Sequence, residues 1–303
     1  QMCIRDRSAL EHTGIVLWLA VGVLIINAFV NYALIFGYWG LPELGLQGAA
    51  IGSVIAMSLS LVGFVIYIQI YFEEQKMFAR FWRFDRMATS AVARLAIPIS
   101  ATAFAESGLF AASAFMMGWL GKLELAAHGI VLQLAAMSFM VHMGLSQAGT
   151  VRVGQAFARK DWLAVRRTAG VAMGLSSIAA AVAIFFFLAT PQILIGAFLE
   201  LRDPLRPEIL RIGTLLLVLA SMFQFVDAAQ VMALSLLRGL QDTRVPMLIT
   251  VISYWLIGIP ISYILGFIFD FRGTGIWLGL VVGLAIAALL LWSRFNLLIR
   301  SNQ

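Results

Sequence analysis

Two carboxylate side chains, Glu106 and Asp227, lie in the middle of long apolar stretches of the sequence. An ionisable side chain at the centre of a membrane costs roughly 2.5–3.5 kcal/mol, so such residues are rare and usually functional. No Lys or Arg lies near the middle of either stretch. A buried carboxylate without a basic partner favours being neutralised by a proton or a cation. These positions predict a site for Na⁺ or H⁺; the alternative is a protonated carboxyl group that hydrogen-bonds between helices.

Polar and aromatic residues near the two carboxylates are candidates for lining a cavity. Gln224 and Gln230 flank Asp227 at three-residue spacing and share its broad helix face, and Thr102 lies one turn from Glu106. Polar side chains in spans also form helix–helix hydrogen bonds, which is the packing alternative for each of them. The predicted cavity-lining or substrate-lining residues are Thr102, Gln133, Phe223, Gln224, Gln230 and Tyr254.

Two prolines are predicted to kink the helices that contain them. Pro98 lies about two turns before Glu106, and Pro260 lies inside a later apolar stretch. Each removes one backbone hydrogen bond from its helix. A kink near Glu106 would allow the state of that carboxyl group to influence the shape of the helix.

The sequence contains no recognisable catalytic or metal-binding pattern. His128 and His142 are separated by about 21 Å along a helix with a rise of 1.5 Å per residue, too far to bind one metal ion. The one cysteine, Cys3, excludes a disulfide within the chain. We therefore expect no enzyme, no cofactor and no metal beyond Na⁺ at the two carboxylates. A membrane enzyme with an acid pair remains an alternative without a supporting motif.

The composition is that of a membrane protein. Hydrophobic residues make up 62% of the chain and charged residues 12%, whereas soluble domains are about half apolar and a quarter charged. In a bilayer such apolar stretches must form helices, because their backbone groups have no water to bond. The sequence thus predicts an all-α polytopic protein in contact with lipid, and it excludes a soluble enzyme. The basic pI reflects loop topology, so we expect no nucleic-acid partner.

Eight transmembrane spans are predicted from the lengths of the apolar stretches. Short connections with glycine, proline or aspartate separate them, and none resembles a soluble domain. The predicted spans are residues 14–36, 48–72, 95–118, 125–150, 168–195, 211–236, 246–268 and 274–293.

Basic residues predict the orientation of the chain. Fourteen Lys and Arg residues fall in one set of alternate connections and five in the other. Because cytoplasmic loops are enriched in basic residues, the first set is assigned to the cytoplasm, with both ends of the chain. That set is Lys76, Arg80, Arg83, Arg86, Arg94, Arg152, Arg159, Lys160, Arg166, Arg167, Arg238, Arg244, Arg294 and Arg300.

The first two predicted spans resemble the last two, which suggests an internal repeat. Gly48 and Gly52 in the second span match Gly275 and Gly279 in the last, 227 residues later. Transporters are commonly built from repeats, although chance similarity between glycine-rich helix starts is an alternative. If the repeat is real, four spans precede this chain, and we expect the chain alone not to transport. The predicted organisation is a leader at 1–13, the last two helices of a first lobe at 14–72, a cytoplasmic linker at 73–94 and a complete six-helix lobe at 95–300.

The most specific motif begins at Asp227 and reads Asp227-Ala-Ala-Gln-Val-Met-Ala-Leu-Ser-Leu-Leu-Arg238-Gly239-Leu-Gln-Asp242-Thr243-Arg-Val-Pro246. It resembles the tenth span and the following L-R-G-x-x-D-T turn of the multidrug and toxic compound extrusion (MATE) family, in particular its NorM-like branch. The resemblance covers residues 14–300 and makes the spans numbers five to twelve of a two-lobe (6+6) transporter. Also similar are Leu44-Gly-Leu-Gln-Gly-Ala-Ala50, Leu95-Ala-Ile-Pro98, Ala126-Ala-His128 and Thr150-Val-Arg-Val-Gly-Gln155.

The resemblance implies an antiporter of the bacterial inner membrane, monomeric, that exports amphiphilic, often cationic, small molecules as Na⁺ or H⁺ enters. In that family, acidic residues at the positions of Glu106 and Asp227 bind the coupling cation. Phe223 stands where some Na⁺-linked members carry an aromatic hydroxyl, and Gly129 stands where Gln is common. The choice between Na⁺ and H⁺ therefore stays open. The functional alternative is a flippase for lipid-linked precursors with the same fold, which would require cationic residues for phosphate groups.

Overall fold

The computed structural model describes residues 13–38, 42–71, 86–202 and 204–301, and no strand occurs among them. Within these ranges seven helices are long and apolar enough to cross a membrane, and a shorter apolar helix covers Val21–Phe36. The predicted all-α polytopic membrane fold is confirmed. The helices are α1 (Thr13–Phe36), α2 (Gly45–Tyr71), α3 (Arg86–Leu120), α4 (Lys122–Ala158), α5 (Trp162–Ala189), α6 (Pro191–Gly196), α7 (Arg206–Gly239), α8 (Arg244–Ile268) and α9 (Arg272–Arg300).

Most helices extend beyond the predicted apolar spans, because polar residues at their ends continue the helical backbone. α3 begins at Arg86, so the last part of the predicted linker at 73–94 is helical, whereas residues 72–85 lie outside the described part. The predicted span at 168–195 is wrong at its end. α5 ends at Ala189, and Pro191 starts the separate helix α6, since proline suits a first helical turn and cannot continue a hydrogen-bonded one. The predicted leader at 1–13 lies outside the described residues except for Thr13.

The chain divides into two compact units at Arg86. The first contains α1 and α2, which form a hairpin closed by a hydrogen bond from the Leu44 amide to the Leu34 carbonyl at 3.0 Å. Gly48 lies against the Leu34 carbonyl and Gly52 against Asn31, where a Cβ atom would collide. The two glycines therefore allow the helices to approach closely.

The second unit contains α3 to α9 and is organised around α7. This helix packs against α4, α5 and α9, and its last three turns are almost fully buried. The Thr150 hydroxyl on α4 donates to the Ser235 carbonyl on α7 at 2.9 Å. Gly239 lies so close to the Thr150 carbonyl that a Cβ atom would come within 2.8 Å of its oxygen. The tertiary structure thus brings together the two motifs that begin at Thr150 and at Asp227.

α8 is not a regular α-helix. Two π-helical segments, Ile252–Gly258 and Ile264–Ile268, flank the short α-helical segment that contains Pro260. Single π-turns are often found at functional sites and at helix bends. Pro98, in contrast, lies within a continuous α-helix, α3.

The α8–α9 hairpin repeats the packing of α1–α2. A Cβ atom on Gly275 would collide with the backbone of Leu265, and one on Gly279 with the backbone of Ser262. Both hairpins therefore place a pair of glycines, four residues apart on the second helix, against the first helix. This shared packing supports the predicted internal repeat.

Candidate functional site

Glu106 on α3 and Asp227 on α7 line the same cavity, although they are 121 residues apart in the sequence. The cavity has a volume of about 490 Å³. Its wall combines the two carboxylates with aromatic, small apolar and methionine side chains. The lining residues are Ala103, Glu106, Ser107, Phe110, Leu132, Ala135, Ala136, Phe139, Met143, Phe223 and Asp227.

Asp227 is 2% exposed, and its Oδ1 atom has no hydrogen-bond partner among the described residues. Gln224 and Gln230 on the same helix are fully buried, and their side-chain amides also lack partners there. Buried polar atoms are normally hydrogen-bonded, so unpaired ones point to a role in binding a ligand, ion or water. This part of α7 offers several oxygen atoms that are suited to a hard cation or a proton.

Glu106 is partly exposed to the cavity and is close enough to Asp227 for the two carboxyl groups to interact electrostatically. Like charges in a low dielectric repel, so ionisation of one carboxyl group disfavours ionisation of the other. A proton or a monovalent cation bound here would relieve that repulsion.

The backbone beside Glu106 is held by the π-helical segment of α8. The indole N–H of Trp255 donates to the carbonyl of Ala105 at 3.2 Å. The same indole ring lies against Gly108, where a Cβ atom would collide with it. α8 therefore contacts α3 directly at the residues on either side of the carboxylate.

No Lys or Arg lies near the middle of the two apolar stretches, but one arginine at the end of α7 acts on the site. Arg238 was assigned to a loop, but α7 continues to Gly239 and places Arg238 in its last turn, where its charge interacts with Glu106. Helical side chains point back towards the N-terminus of their helix, which brings the guanidinium towards Glu106. Among the described residues neither Glu106 nor Asp227 forms an ion pair, so Arg238 influences the site without neutralising it.

An aromatic cluster forms the wall beside the two carboxylates. Phe110 and Phe223 meet edge to face with ring centroids 6.0 Å apart, and Trp277 packs on Phe223 at 5.6 Å. His128 contacts the same Trp277 ring at 5.7 Å, and its Nε2 atom lies 3.4 Å from the Ser113 hydroxyl. Such edge-to-face contacts fix ring orientations and give the cavity a defined apolar side.

The remaining predicted residues fall in different places. Thr102 is buried, and its hydroxyl donates to the Pro98 carbonyl at 2.9 Å, as in ordinary helix packing. Tyr254 is fully buried, and its hydroxyl has no partner among the described residues. Gln133 is exposed and is not part of the cavity wall. Of the predicted lining residues, Phe223 alone borders this cavity.

The two histidines occupy separate sites. His142 lies 2.9 Å from the Ser176 hydroxyl on α5, whereas His128 contacts α3 and α9. They therefore cannot share a ligand. This agrees with the separation that their sequence positions require.

α4 lines the cavity with apolar residues, and not with Gln133 as the sequence predicted. Leu132, Ala136, Phe139 and Met143 recur at three-residue and four-residue spacing and form one face of this helix. That spacing was visible in the sequence. The face could not be assigned to the cavity, however, because apolar residues surround α4 on several sides.

Comparison with known proteins agrees with this architecture. A family model described as MatE matches residues 98–264, more than half of the chain. The chain belongs to the MATE family. The matched region contains both carboxylates and the whole cavity wall. Two solved members of this family, AtDTX14 and an outward-facing multidrug resistance protein, are described as transporters.

The MATE chain is similar to several proteins with the name "Probable multidrug resistance protein NorM". It is 42% identical to the one from Agrobacterium fabrum over 98% of its own length, and 43% identical to the one from Rhizobium meliloti over 97%. It spans 64% and 63% of the lengths of those relatives, respectively.

Two solved structures share the fold at low sequence identity. The eukaryotic MATE transporter AtDTX14 superposes with a TM-score of 0.78 at 20% identity, over 92% of this chain and 61% of that one. An outward-facing multidrug resistance MATE transporter superposes with a TM-score of 0.74 at 17% identity, over 92% and 62%. These structures establish the fold of the described helices.

Proposed function

We propose that this chain forms the larger part of a cation-coupled exporter of amphiphilic and cationic small molecules. The supporting observation is that Glu106 and Asp227, from two helices, line one cavity without an ion pair among the described residues. A site of this kind gains a positive charge from solution, which is the requirement for coupling transport to an ion gradient. The coupling ion is Na⁺ or H⁺.

Cation binding would drive transport by alternating access between two lobes. A ligand shifts a conformational equilibrium only by its difference in affinity for the two states. In the cavity lined by Glu106 and Asp227, the difference in cation affinity between the two states would arise from the distance between the two carboxyl groups, because a closer pair binds a cation more tightly. The Trp255–Ala105 hydrogen bond gives a route by which a change at Glu106 would reach α8.

The proposed substrates follow from the cavity wall and from the names of the relatives. Phe110, Phe139, Met143 and Phe223 provide aromatic faces and a flexible thioether, which suit varied apolar cations. The Agrobacterium and Rhizobium relatives carry the name of a multidrug resistance protein. The lining residues include no Lys or Arg, which favours drug export over a flippase for phosphate-bearing lipids.

The test is efflux of a fluorescent cationic dye from proteoliposomes that contain the complete protein. An imposed Na⁺ gradient and an imposed pH gradient are applied separately, so that the active one identifies the ion. We expect Glu106→Gln and Asp227→Asn each to reduce gradient-driven efflux at least about tenfold, because the neutral amides cannot be protonated or bind the cation electrostatically. Glu208→Gln and Asp270→Asn, both exposed and outside the cavity, are the matched controls. Full gradient-driven efflux in both cavity variants would refute the proposal.

We propose further that the protein is a monomer of a bacterial inner membrane with both ends of this chain in the cytoplasm. The support for this orientation is the distribution of basic residues: nine of the fourteen that we assign to the cytoplasm lie in or beside the α4–α5 and α7–α8 connections and at the end of α9. Cytoplasmic segments of membrane proteins are enriched in Lys and Arg.

A further inference from the structure

A second cavity lies between the first turns of α5 and the last turns of α9, away from the two carboxylates. It has a volume of about 480 Å³. Its floor is apolar and its edge is basic. The lining residues are Arg166, Ala169, Gly170, Met173, Trp292, Phe295, Asn296, Ile299 and Arg300. We call it the α5–α9 groove.

The floor of the groove is an apolar slot between α5 and α9. Ala169, Phe295 and Ile299 are buried at its base. Gly170 leaves the wall of α5 open, since a Cβ atom there would meet no other atom within 4 Å. The Trp292 indole is fixed at the opposite wall by its hydrogen bond to the Ala229 carbonyl at 3.0 Å. The slot suits a flexible hydrocarbon chain.

The basic edge of the groove combines Arg166 on α5 with Arg300 on α9. Both side chains are exposed, and among the described residues neither forms an ion pair. Arg294, on the same helix as Arg300, is instead paired with Asp242 at 2.8 Å. No acidic residue lines the groove. The two arginines therefore attract an anion from outside the protein.

The position of the groove matches the boundary between hydrocarbon and headgroups. Arg166 lies one turn inside the start of α5, and Arg300 is the last residue of α9. Trp292 lies about two turns before Arg300 on α9 and lines the groove further from the helix end. A molecule in the groove would place its charge at the membrane surface and its apolar part inside the bilayer.

We propose that the α5–α9 groove binds an anionic phospholipid of the surrounding leaflet, with an acyl chain along the floor and the phosphate between Arg166 and Arg300. Basic pockets between transmembrane helices at the membrane surface are suited to such headgroups. The charge of the edge selects anionic over zwitterionic lipids, and the apolar floor distinguishes a lipid from a free phosphate ion. This site is separate from the proposed transport cavity and does not depend on its function.

The first test measures lipid affinity by native mass spectrometry of the purified protein, titrated with phosphatidylglycerol or phosphatidylcholine. We expect Arg166→Gln with Arg300→Gln to weaken binding of the first phosphatidylglycerol by about tenfold or more, because each arginine near the membrane surface contributes a favourable interaction with the headgroup. Arg159→Gln with Arg244→Gln is the matched control, with the same charge change at the same end of the helices but outside the groove. An equal loss in both double variants, or no loss in the first, would overturn the proposal.

The second test addresses the floor and leaves both arginines in place. Gly170→Phe fills the slot, whereas Gly174→Phe, one turn further along α5 and also facing open space, does not line the groove. We expect the first substitution to weaken phosphatidylglycerol binding several-fold and the second to leave it unchanged. If inorganic phosphate competes fully for the site, or if Gly170→Phe has no effect, the groove binds an anion and not a lipid, and the proposal is wrong.

Discussion

The acidic residues within the described helices differ in whether they have a basic partner. Glu124 at the start of α4 pairs with Arg272, and Asp242 after α7 pairs with Arg294. Asp227, the most deeply buried of the carboxylates named here, has no such partner among the described residues. The paired acids join helices and stabilise the fold, whereas an unpaired one costs free energy. This contrast supports the proposal that Asp227 binds an ion.

The contrast predicts opposite effects of two similar substitutions on stability. Asp227→Asn should leave the free energy of unfolding unchanged or raise it, because it removes a potential buried charge and no observed hydrogen bond. Asp242→Asn should lower it by roughly 1–2 kcal/mol, because it leaves Arg294 without its partner at a site where the two side chains are 15% and 35% exposed. Thermal unfolding in detergent at neutral pH measures both. A large loss of stability in Asp227→Asn would show a structural role for this carboxylate.

At the scale of helices, close approach depends on glycines at a few crossing points. Gly275 and Gly279 place α9 against α8 at the segment that contains Pro260 and the two π-helical segments. The irregular α8 backbone is therefore held by α9 on one side, and Trp255 joins it to α3 on the other. These contacts place α8 between α9 and α3, the helix that carries Glu106.

A single methyl group should test the importance of the α8–α9 crossing. Gly275→Ala is expected to destabilise the protein by about 1–3 kcal/mol, because the added Cβ atom meets only backbone atoms of Leu265 and Gly266, which cannot move aside independently. Gly174→Ala on α5 faces open space and should be neutral or slightly stabilising, since alanine favours helix more than glycine does. Unfolding temperatures of the two variants provide the comparison. Equal unfolding temperatures would show that the α8–α9 crossing accommodates the added methyl group without loss of stability.

At the scale of the whole molecule, basic side chains collect at one end of the helices in the second unit. Arg152, Arg159 and Arg166 lie around the α4–α5 connection, and Arg244 and Arg300 lie at the ends of α8 and α9. The opposite connections hold fewer basic residues, of which Arg211 and Arg272 are paired with acids. The unpaired positive charge is thus concentrated at the end that we assign to the cytoplasm.

This assignment predicts which loops a reagent outside the cell can reach. In a Cys3→Ser background, Arg202→Cys should react with a membrane-impermeant maleimide in intact spheroplasts, whereas Arg159→Cys should react only after permeabilisation. Both positions are exposed, so accessibility within the protein does not distinguish them. Labelling of Arg159→Cys in intact spheroplasts would reverse the proposed topology.

The sequence by itself determined which stretches form helices and that two carboxylates lie within long apolar ones. These features are local: an apolar stretch in a bilayer must be helical, and an acidic residue within it is visible in the sequence alone. The break at Pro191 is also local in origin, but it was missed because α6 continues the apolar composition beyond Ala189.

Only the tertiary structure decided which side chains meet. The packing of separate helices places Glu106 and Asp227 in one cavity, brings Arg238 towards Glu106 and buries Gln224 outside that cavity. It also forms the groove between Arg166 and Arg300, which lie 134 residues apart. Composition and helical spacing determine which face of a helix is apolar or charged. The packing of the whole bundle determines which other helix contacts that face.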